Sequence, residues 1–276
     1  MTKKYLFLSN YIVLLMSIYI FALVIKVLSI LIVIQMKIIT PEKNAELKKL
    51  ILLRLSIASK YLEESEFKTE IRKALNEESE IPGFEDKPMK FGSFVNKDFA
   101  VMMTDIRKST DIINSYNGTQ KMFLIFYAYS ALVAKIVDSY SGTATEFLGD
   151  GVLNLFDVST GRDEALRNSI RAGREILEAC SDILNPILIA SSLPTINIGV
   201  GIDYGSTIVT RFGHKGDNDL KAFGQCVYNV SKLSKGVNEI LVSSDAQRIW
   251  PLAINGALRF DPKLIDSKIA YRAYTI

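Results

Sequence analysis

The chain has 276 residues, of which 49% are hydrophobic and 23% charged, and its formal net charge is +3. This length suits one large domain or an average domain with an extension. The near-neutral charge excludes a nucleic-acid binder that works through bulk positive charge. Two cysteines, Cys180 and Cys226, exclude a disulfide scaffold and a cysteine-rich zinc site. The single histidine, His214, excludes mechanisms that need a histidine cluster. Carboxylates and cations must therefore carry most of any chemistry.

The N-terminal region is predicted to be a membrane anchor over residues 1–40. No charged residue lies between Tyr5 and Ile25, and the apolar run resumes after Lys26 as far as Met36. About 20 apolar residues suffice for a helix to span a bilayer. A cleaved signal peptide fits less well, because the run is too long and lacks a small-residue cleavage site. We therefore expect a single-pass protein of the cell membrane whose remaining residues lie in the cytoplasm, or a cytoplasmic protein if translation starts at Met36.

Residues 41–90 are predicted to form a helical linker. Apolar residues spaced by three or four indicate one helical stripe, formed by Leu47, Ile51, Leu55, Ala58 and Leu62. Two interpretations remain open: the helix packs on its own domain, or it pairs two copies of the chain as a coiled coil. The polar stretch from Asn76 to Lys90 contains Pro82, Gly83 and Pro88 and is typical of a connecting segment.

Residues 91–276 are predicted to form one α+β domain. Apolar runs and turn residues indicate a strand over 99–104, helices over 109 onward and 119–139, a hairpin of 145–148 with 152–156, a helix over 163–184, and strands over 196–202 and 207–211. Ser109 or Thr110 and then Thr119 are the expected helix caps, and residues 203–206 are the expected turn. The order β-α-β-β-α-β is the ferredoxin-like arrangement, with additions at the C-terminal end.

Two aspartates occupy special positions in this arrangement. Asp105 follows the first strand, and Asp150 lies at the tip of the hairpin formed by Gly149-Asp150-Gly151. If the first and second strands are adjacent, the two carboxylates come close together and need a cation between them. Taken singly, either aspartate is more typical of a turn or cap residue.

The residues after Asp105 also suit a phosphate. Arg107 and Lys108 supply positive charge, and Ser109 and Thr110 open a helix whose N-terminal N–H groups are free. The sequence therefore predicts a combined site for metal and phosphate.

Four ordered stretches resemble the motifs of class III nucleotidyl cyclases. They are residues 99–110 (FAVMMTDIRKST), 146–156 (EFLGDGVLNLF), 197–205 (NIGVGIDYG) and 223–233 (FGQCVYNVSKL). The resemblance extends over roughly residues 95 to 275. It implies a head-to-tail homodimer with active sites at the interface, each taking a nucleoside triphosphate and two divalent ions, Mn²⁺ or Mg²⁺. The ligands would be Asp105, Asp150 and the backbone carbonyl of Ile106, and the product a 3′,5′-cyclic nucleotide.

The sequence departs from the family pattern at the transition-state residues. The family has Asn and, four residues later, Arg, where this chain has Tyr228 and Lys232. Asn229 follows one position later, about 100° around the helix. Lys232 keeps the charge but lacks the bidentate fork of Arg. Asn229 and Lys232 are the candidate catalytic residues. A catalytically silent cyclase homologue is an alternative, although both metal aspartates are present.

The residues that select the base in this family are also altered. Relatives that use ATP have Lys four residues before the second aspartate and those that use GTP have Glu; here the residue is Glu146, and its partner position holds Lys221. A carboxylate beside an ammonium suits a base edge with an N–H donor next to a carbonyl, which guanine and cytosine present and uracil presents in part. Adenine has no carbonyl and fits poorly. Lys221 could also be a solvent-facing loop residue.

The altered pocket and the first motif, Asp-Ile-Arg-x-Ser-Thr, resemble the pyrimidine cyclases of bacterial antiphage (Pycsar) systems. This resemblance implies cyclic CMP or cyclic UMP made during infection and read by a separate effector protein. A purine cyclase in ordinary signalling, most plausibly a guanylate cyclase, is the alternative. No nucleic-acid partner is expected.

Overall fold

The computed structural model describes residues 38–63, 94–159, 161–214, 217–251 and 256–275. The described residues from Pro41 onward belong to one compact unit. Residues 1–37 of the predicted membrane anchor, including the alternative start at Met36, lie outside the described residues, as does the predicted connecting stretch from Asn76 to Lys90. Among the described helices, the one over Gly118–Asp138 is long and apolar enough to cross a membrane, and much of it is buried inside the unit.

The unit contains short and long helices around one sheet. The helices are α1 (Pro41–Glu63), α2 (Ser109–Ile113), α3 (Gly118–Asp138), α4 (Arg162–Ala179), α5 (Asn185–Ala190), α6 (Gln225–Leu233) and α7 (Ser244–Arg248). A π-helical turn over Cys180–Leu184 joins α4 to α5. The strands are β1 (Phe94–Arg107), β2 (Gly142–Leu148), β3 (Gly151–Asp157), β4 (Asn197–His214), β5 (Asp217–Phe223), β6 (Glu239–Ser243), β7 (Leu258–Ile265) and β8 (Lys268–Thr275).

The described strands form an eight-stranded sheet in the order β2-β3-β1-β4-β6-β8-β7, with β5 paired to β4. All neighbours are antiparallel except β4 and β6, which are parallel. The order of the first four strands is that of a ferredoxin-like unit, so the predicted α+β fold with C-terminal additions is confirmed. The expectation that β1 lies beside β2 is wrong: β1 pairs with β3 and β4, because β3, which follows β2 through a two-residue loop, occupies the place beside β1 and leaves β2 at the sheet edge.

The core lies on both faces of the sheet, because successive side chains of β1 point to opposite sides. Phe99, Val101 and Met103 pack with Cys226 and Val230 of α6 on one face. On the other face, Gly173 of α4 lies against β1 and β4: a Cβ added there would be 3.5 Å from Met102 Sδ and 3.1 Å from Val200 Cγ1. Asp105 continues the odd-numbered series of β1 and therefore belongs to the α6 face.

Helix α1 packs on its own domain. Four members of its apolar stripe are buried, namely Leu47, Ile51, Leu55 and Ala58. The fifth, Leu62, is exposed. Lys43 pairs with the buried Glu175 of α4 at 2.7 Å, and Arg54 donates to the Tyr127 hydroxyl of α3 at 3.3 Å. The packed interpretation of this stripe is therefore the one that the structure supports, while the limits of the linker stay a prediction.

The turn predicted over residues 203–206 differs from the structure. Residues 203–206 form no turn: β4 continues through them, since their backbone pairs with β1 along an unbroken ladder from Phe94↔Thr210 to Arg107↔Asn197. A turn there would break the ladder hydrogen bonds that these backbone groups make with β1. The hairpin comes later, between β4 and β5.

The helix caps also differ from the prediction. Lys108 and Asn117, both in the left-handed region with φ 58° and 53°, precede α2 and α3 without a side-chain cap. Ser109 and Thr110 are therefore the first helical residues of α2 rather than its cap, and Thr119 lies inside α3.

Candidate active site

One candidate metal aspartate lies near the end of β1 and the other in the loop that leads into the neighbouring strand β3. Asp105 is opposite Gly151 in the β1–β3 ladder, two residues before β1 ends. Asp150 occupies the two-residue loop between β2 and β3, and the Ile106 N–H donates to its backbone carbonyl at 3.3 Å. The β2–β3 hairpin therefore brings Asp150 next to the end of β1, as the sequence predicted, although through β3 rather than β2.

Two glycines flank Asp150 for different reasons. Gly149 has φ +65°, a conformation that the tight loop requires and that residues with a Cβ seldom adopt. A Cβ at Gly151 would lie 2.4 Å from Met103 Cε and 3.4 Å from Asp105 Oδ1. The Gly-Asp-Gly sequence thus serves both the turn and the close approach of the Asp105 carboxyl to β3.

The Asp105 and Asp150 carboxylates together carry more negative charge than the neighbouring Arg107 can neutralise. The pKa of Asp105 is raised, chiefly by burial and then by the nearby Asp150, while Arg107 lowers it. The Arg107 guanidinium forms an ion pair with Asp105. Within the described ranges, no group of three His, Cys, Asp or Glu side chains is placed to hold a metal. Hard divalent ions accept one or two carboxylates together with backbone, water and phosphate oxygens. The two carboxylates and the backbone carbonyl oxygens at this site therefore fit such an ion.

Of the residues that the sequence predicts to bind phosphate, only some lie next to the two carboxylates. Arg107 forms an ion pair with Asp105, and Ser109 and Thr110 are half-buried and exposed, respectively, at the start of the short α2.

Tyr129 of α3 was missed by the sequence reasoning. It is fully buried, its pKa is raised mainly by that burial, and it interacts electrostatically with both aspartates. Nothing in the sequence pattern distinguishes this tyrosine from its neighbours in an apolar helix.

Glu146 and Lys221, the candidate base-reading residues, are in direct contact. Lys221 Nζ of β5 lies 3.1 Å from Glu146 Oε2, and the Ala222 N–H donates to Glu146 Oε1 at 2.6 Å. The Glu146 side chain is 6% exposed and that of Lys221 31%. Lys221 is therefore part of a strand that faces a buried carboxylate, and the interpretation of it as a solvent-facing loop residue is wrong.

The direction of Glu146 depends on an irregularity in β2. Ala144 is opposite Asn154 and Glu146 is opposite Leu153, so one extra residue, Thr145, lies in the strand. This bulge places Glu146 on the face of Leu153, which packs with the α6 side of the core.

Helix α6 places both candidate catalytic residues on one cavity of about 500 Å³, which Asn229, Lys232 and the exposed Tyr228 line. The Lys232 ammonium lies 5.3 Å from the centre of the Tyr228 ring. The Asn229 amide donates to Asp203 Oδ2 at 2.8 Å. Gly201 of β4 allows α6 to lie close, since a Cβ there would be 2.5 Å from the Val230 carbonyl oxygen. The glycines of the third motif thus position α6 against the sheet.

Asp203 is a second residue that the sequence reasoning interpreted wrongly. It lies 2% exposed in β4, and burial raises its pKa. Its carboxyl accepts from the Tyr204 N–H, from Asn229 and from the Ser243 hydroxyl. Instead of forming a turn, Asp203 joins β4, α6 and β6 through buried hydrogen bonds.

Comparisons with known proteins agree with this geometry. No family model matches the chain. The chain is 22% identical over 185 residues to an adenylate cyclase of Anabaena cylindrica, covering 65% of this chain and 36% of that protein. It is 27% identical over 166 residues to a uridylate cyclase of Burkholderia cepacia, covering 58% and 69% respectively. The chain thus spans little more than a third of the Anabaena relative's length.

Solved cyclase domains share the fold. The guanylyl cyclase Cya2 superposes with a TM-score of 0.55 at 21% identity, covering 66% of this chain and 94% of that one. The adenylyl cyclase CyaB of P. aeruginosa gives 0.56 at 19% identity, covering 67% and 97%. The sequence resemblance to class III nucleotidyl cyclases is confirmed by these similarities.

Proposed function

We propose that the chain is a nucleotidyl cyclase that converts a nucleoside triphosphate to a 3′,5′-cyclic nucleotide and pyrophosphate. The observation that carries the proposal is the placement of Asp105 in β1 beside the loop that holds Asp150, with Gly151 opposite Asp105 and Arg107 paired to it. Similarity to adenylate and uridylate cyclases supports the same reaction class.

Asp105, Asp150 and the backbone carbonyl of Ile106 are the residues that would hold two divalent ions, Mn²⁺ or Mg²⁺. When bound, such ions lower the pKa of a ribose hydroxyl and stabilise a leaving pyrophosphate. The other groups that act on the substrate come from the chain itself. The first N–H groups of α2, Ser109, Thr110 and Arg107 bind phosphate oxygens, and Lys232 offsets the charge on the α-phosphate. The substrate O3′ attacks the α-phosphorus, and the bond to the bridging oxygen breaks.

In this mechanism the Arg107 guanidinium can pair with either of two groups, the Asp105 carboxylate or the substrate phosphates. Its guanidinium neutralises Asp105 in the structure, where both side chains are partly exposed. The Asp105 oxygens that pair with Arg107 would also be the ones to hold a divalent cation, and the Arg107 guanidinium would then be free to bind the triphosphate. Arg107 would therefore stabilise the carboxylates without nucleotide and the phosphates with it.

We propose that the substrate is CTP or UTP. Glu146 accepts a hydrogen bond from a base N–H, and Lys221 donates to an oxygen beside it, which suits a base edge on which donor and carbonyl alternate. Uracil presents N3–H with a carbonyl on each side, so it fits the pair better than the sequence reasoning allowed. Similarity to a uridylate cyclase supports this choice.

A head-to-tail homodimer is the proposed assembly. Large apolar side chains are exposed along β1, β4 and β5: Phe94 is 69% exposed, Phe212 66% and Phe223 51%. Phe212 and Phe223 contact each other edge to face, with ring centres 6.5 Å apart. Exposed apolar surface of this kind marks an interface. We propose that a second copy covers it and completes each active site.

We further propose that the enzyme is anchored in the cell membrane through residues 1–40, with its catalytic domain in the cytoplasm. Its product would be read by a separate cyclic-nucleotide-binding effector in antiphage defence. The altered base pocket and the Asp-Ile-Arg-x-Ser-Thr motif support this role, together with the similarity to a uridylate cyclase. A guanylate cyclase in ordinary signalling is the alternative, because guanine also presents N1–H beside a carbonyl.

One observation favours a different class of function, a catalytically silent nucleotide-binding module. Tyr228 stands where relatives carry Asn, and the nearby Asn229 amide is held by the buried Asp203. If Lys232 alone cannot support the transition state, the chain would bind a nucleotide without cyclising it.

The test is to incubate the full chain with an equimolar mixture of the four nucleoside triphosphates and Mn²⁺, and to resolve the products by mass spectrometry. We expect cyclic UMP or cyclic CMP as the main product. We expect no product from the Asp105→Ala or Asp150→Ala variants, although both should fold. The double variant Glu146→Lys with Lys221→Asp should shift the preference toward ATP, because a mismatched buried charge discriminates by orders of magnitude.

Each outcome separates the alternatives. Cyclic AMP from the parent chain would contradict the base-pocket assignment, and cyclic GMP would contradict the pyrimidine and antiphage proposals only. Nucleotide binding without any product would favour the silent module. Full turnover by either aspartate variant under saturating Mn²⁺ would show that the carboxylates are misassigned.

A further inference from the structure

A second cavity, of about 950 Å³, lies between α4 and the C-terminal part of the sheet. It shares no lining residue with the candidate active site or with the cavity beside Lys232. Its walls come from α4, from the end of α7 and the residues that follow it, and from the start of β7 with the end of β8. Six of its lining residues are arginines and none of those described is acidic: Arg162, Arg167, Arg171, Arg174, Arg248 and Arg259.

Few acidic residues are placed to neutralise these arginines, and those few lie outside the cavity. Arg162 pairs with its neighbour Asp163, Arg248 with Asp245, and Arg171 reaches Glu164 at 3.5 Å. Arg259 donates to two backbone carbonyls. Arg167 and Arg174 form no ion pair or hydrogen bond with any residue in the part of the chain that the structure describes.

The spacing of the arginines on α4 concentrates positive charge. Residues 167, 171 and 174 are separated by four and three positions, so they lie on one face of the helix. Like charges at these spacings oppose helix formation. A whole-chain net charge of +3 gives no general excess that would explain six arginines around one cavity. Guanidinium groups converging on a concave surface are the usual arrangement for binding phosphate oxygens in bidentate pairs.

An aromatic residue completes the wall. Trp250, the single tryptophan of the chain, is half-buried there and contacts Phe260 with ring centres 5.4 Å apart. Pockets of about 300–1,000 Å³ accommodate small molecules rather than extended polymers. A tryptophan beside a group of arginines suits a ligand with an aromatic base and a charged chain.

We infer that this cavity is a second ligand site, which binds the oligophosphate chain of a small molecule, either a nucleoside triphosphate or inorganic tripolyphosphate. Arg167 and Arg174 bind the phosphates, and Trp250 contacts the base when there is one. The site is independent of cyclisation, since it uses none of the residues assigned to the reaction.

The test uses the fluorescence of Trp250, excited near its red edge, in the full chain. ATP, CTP and tripolyphosphate are titrated separately in the absence of divalent ions. We expect a saturable change for tripolyphosphate and for the nucleotides, weakened by added NaCl. Tighter binding of the nucleotides than of tripolyphosphate identifies a nucleotide site, and equal affinity identifies the phosphate chain alone as the ligand.

Matched variants inside and outside the cavity show whether the fluorescence change comes from binding at this site. Arg167→Gln combined with Arg174→Gln should raise the Kd at least about tenfold, because two charge-assisted contacts are lost. Arg272→Gln, on an exposed arginine outside the cavity, should leave the Kd unchanged. Asp150→Ala should also leave it unchanged, so failure of the cyclase proposal and failure of this one are distinguishable. Thermal melting identifies any variant that has not folded, and in that case Arg167→Lys provides a milder test.

Three results would overturn the proposal. One is no saturable change with any of the three ligands. Another is an unchanged Kd in the folded double variant. The third is a response to a single-stranded oligodeoxynucleotide only, which would make the cavity part of a nucleic-acid surface.

Discussion

At the scale of single residues, Asn229 and Lys232 of α6 line the same cavity but have different partners. The Asn229 amide donates to the buried Asp203 carboxyl at 2.8 Å. The Lys232 ammonium lies 5.3 Å from the centre of the Tyr228 ring and forms no ion pair with a described residue, although Asp266 lines the same cavity. The sequence alone predicted a catalytic role for both. The contact of Asn229 is one that stabilises the fold, and the catalytic role of both residues stays a prediction.

Replacing each residue by alanine should therefore give opposite results. Lys232→Ala should slow turnover at least tenfold, about 1.4 kcal/mol of barrier, with little change in melting temperature. Asn229→Ala should lower the free energy of unfolding by about 1–3 kcal/mol, because a buried carboxyl loses a donor. Turnover by both variants, set beside urea unfolding, checks the assignment. An unchanged rate for Lys232→Ala would show that this lysine does not reach the phosphate.

The effect of Asn229→Ala should depend on pH. Burial raises the pKa of Asp203, so the folded state binds a proton more readily than the unfolded chain does. The carboxyl therefore favours folding most when it is protonated, at low pH, and less as the pH rises through the folded pKa. Asn229 stabilises the charged form. We expect its loss to destabilise the protein more at neutral pH than at acid pH.

At the scale of elements, α1 shows that a helical stripe does not identify its own partner. Leu47, Ile51, Leu55 and Ala58 satisfy the spacing of a packed helix and of a coiled coil equally. The structure buries them within a single copy, where α1 lies along α3. The ion pair of Lys43 with Glu175 also links α1 to α4.

Neighbouring positions on α1 provide a matched test. Ile51 is fully buried and Leu52 is 54% exposed. Ile51→Ala should reduce the free energy of unfolding by about 2–5 kcal/mol, and Leu52→Ala by no more than about 0.5 kcal/mol. Thermal or denaturant unfolding of the two variants measures the difference. If Ile51→Ala changed only the oligomeric state and not the stability of the domain, α1 would be a coiled coil after all.

At the scale of the whole molecule, the proposed head-to-tail dimer makes a prediction that no single chain can satisfy. Each site would take its carboxylates from one copy and Lys232 from the other. Asp150→Ala and Lys232→Ala chains should each be nearly inactive alone. Co-expressed, they form mixed dimers in which one of two sites is intact, so about a quarter of the parent activity should return. Activity no higher than the mean of the separate variants would show that each site lies within one copy.

The fold was largely predictable from local pattern, while the contacts within the site were not. The Gly-Asp-Gly loop and the apolar run before Asp105 predicted where two carboxylates would meet, because both signals lie within a few residues. Residues 203–206 misled the prediction, since their turn-forming composition is overridden by pairing with β1. The contact of Glu146 with Lys221 depends on the β4–β5 hairpin, and residues 75 positions apart carry no local sign of pairing.

The bulge at Thr145 makes the tip of the β2–β3 hairpin insensitive to the length of the chain that leads into it. From Glu146 to Leu153 the register is regular, and Gly151 ties this segment to Asp105. One surplus residue is already accommodated on the other side of Glu146. We expect an insertion between α3 and Ala144 to be absorbed there, with the candidate base-reading residue Glu146 and the candidate metal ligands Asp105 and Asp150 undisturbed. The same insertion between Phe147 and Asp150 has no such outlet and would change the spacing of Glu146 from Asp150. We therefore expect relatives of this chain to vary in length before the bulge and to keep the four-residue spacing from Glu146 to Asp150.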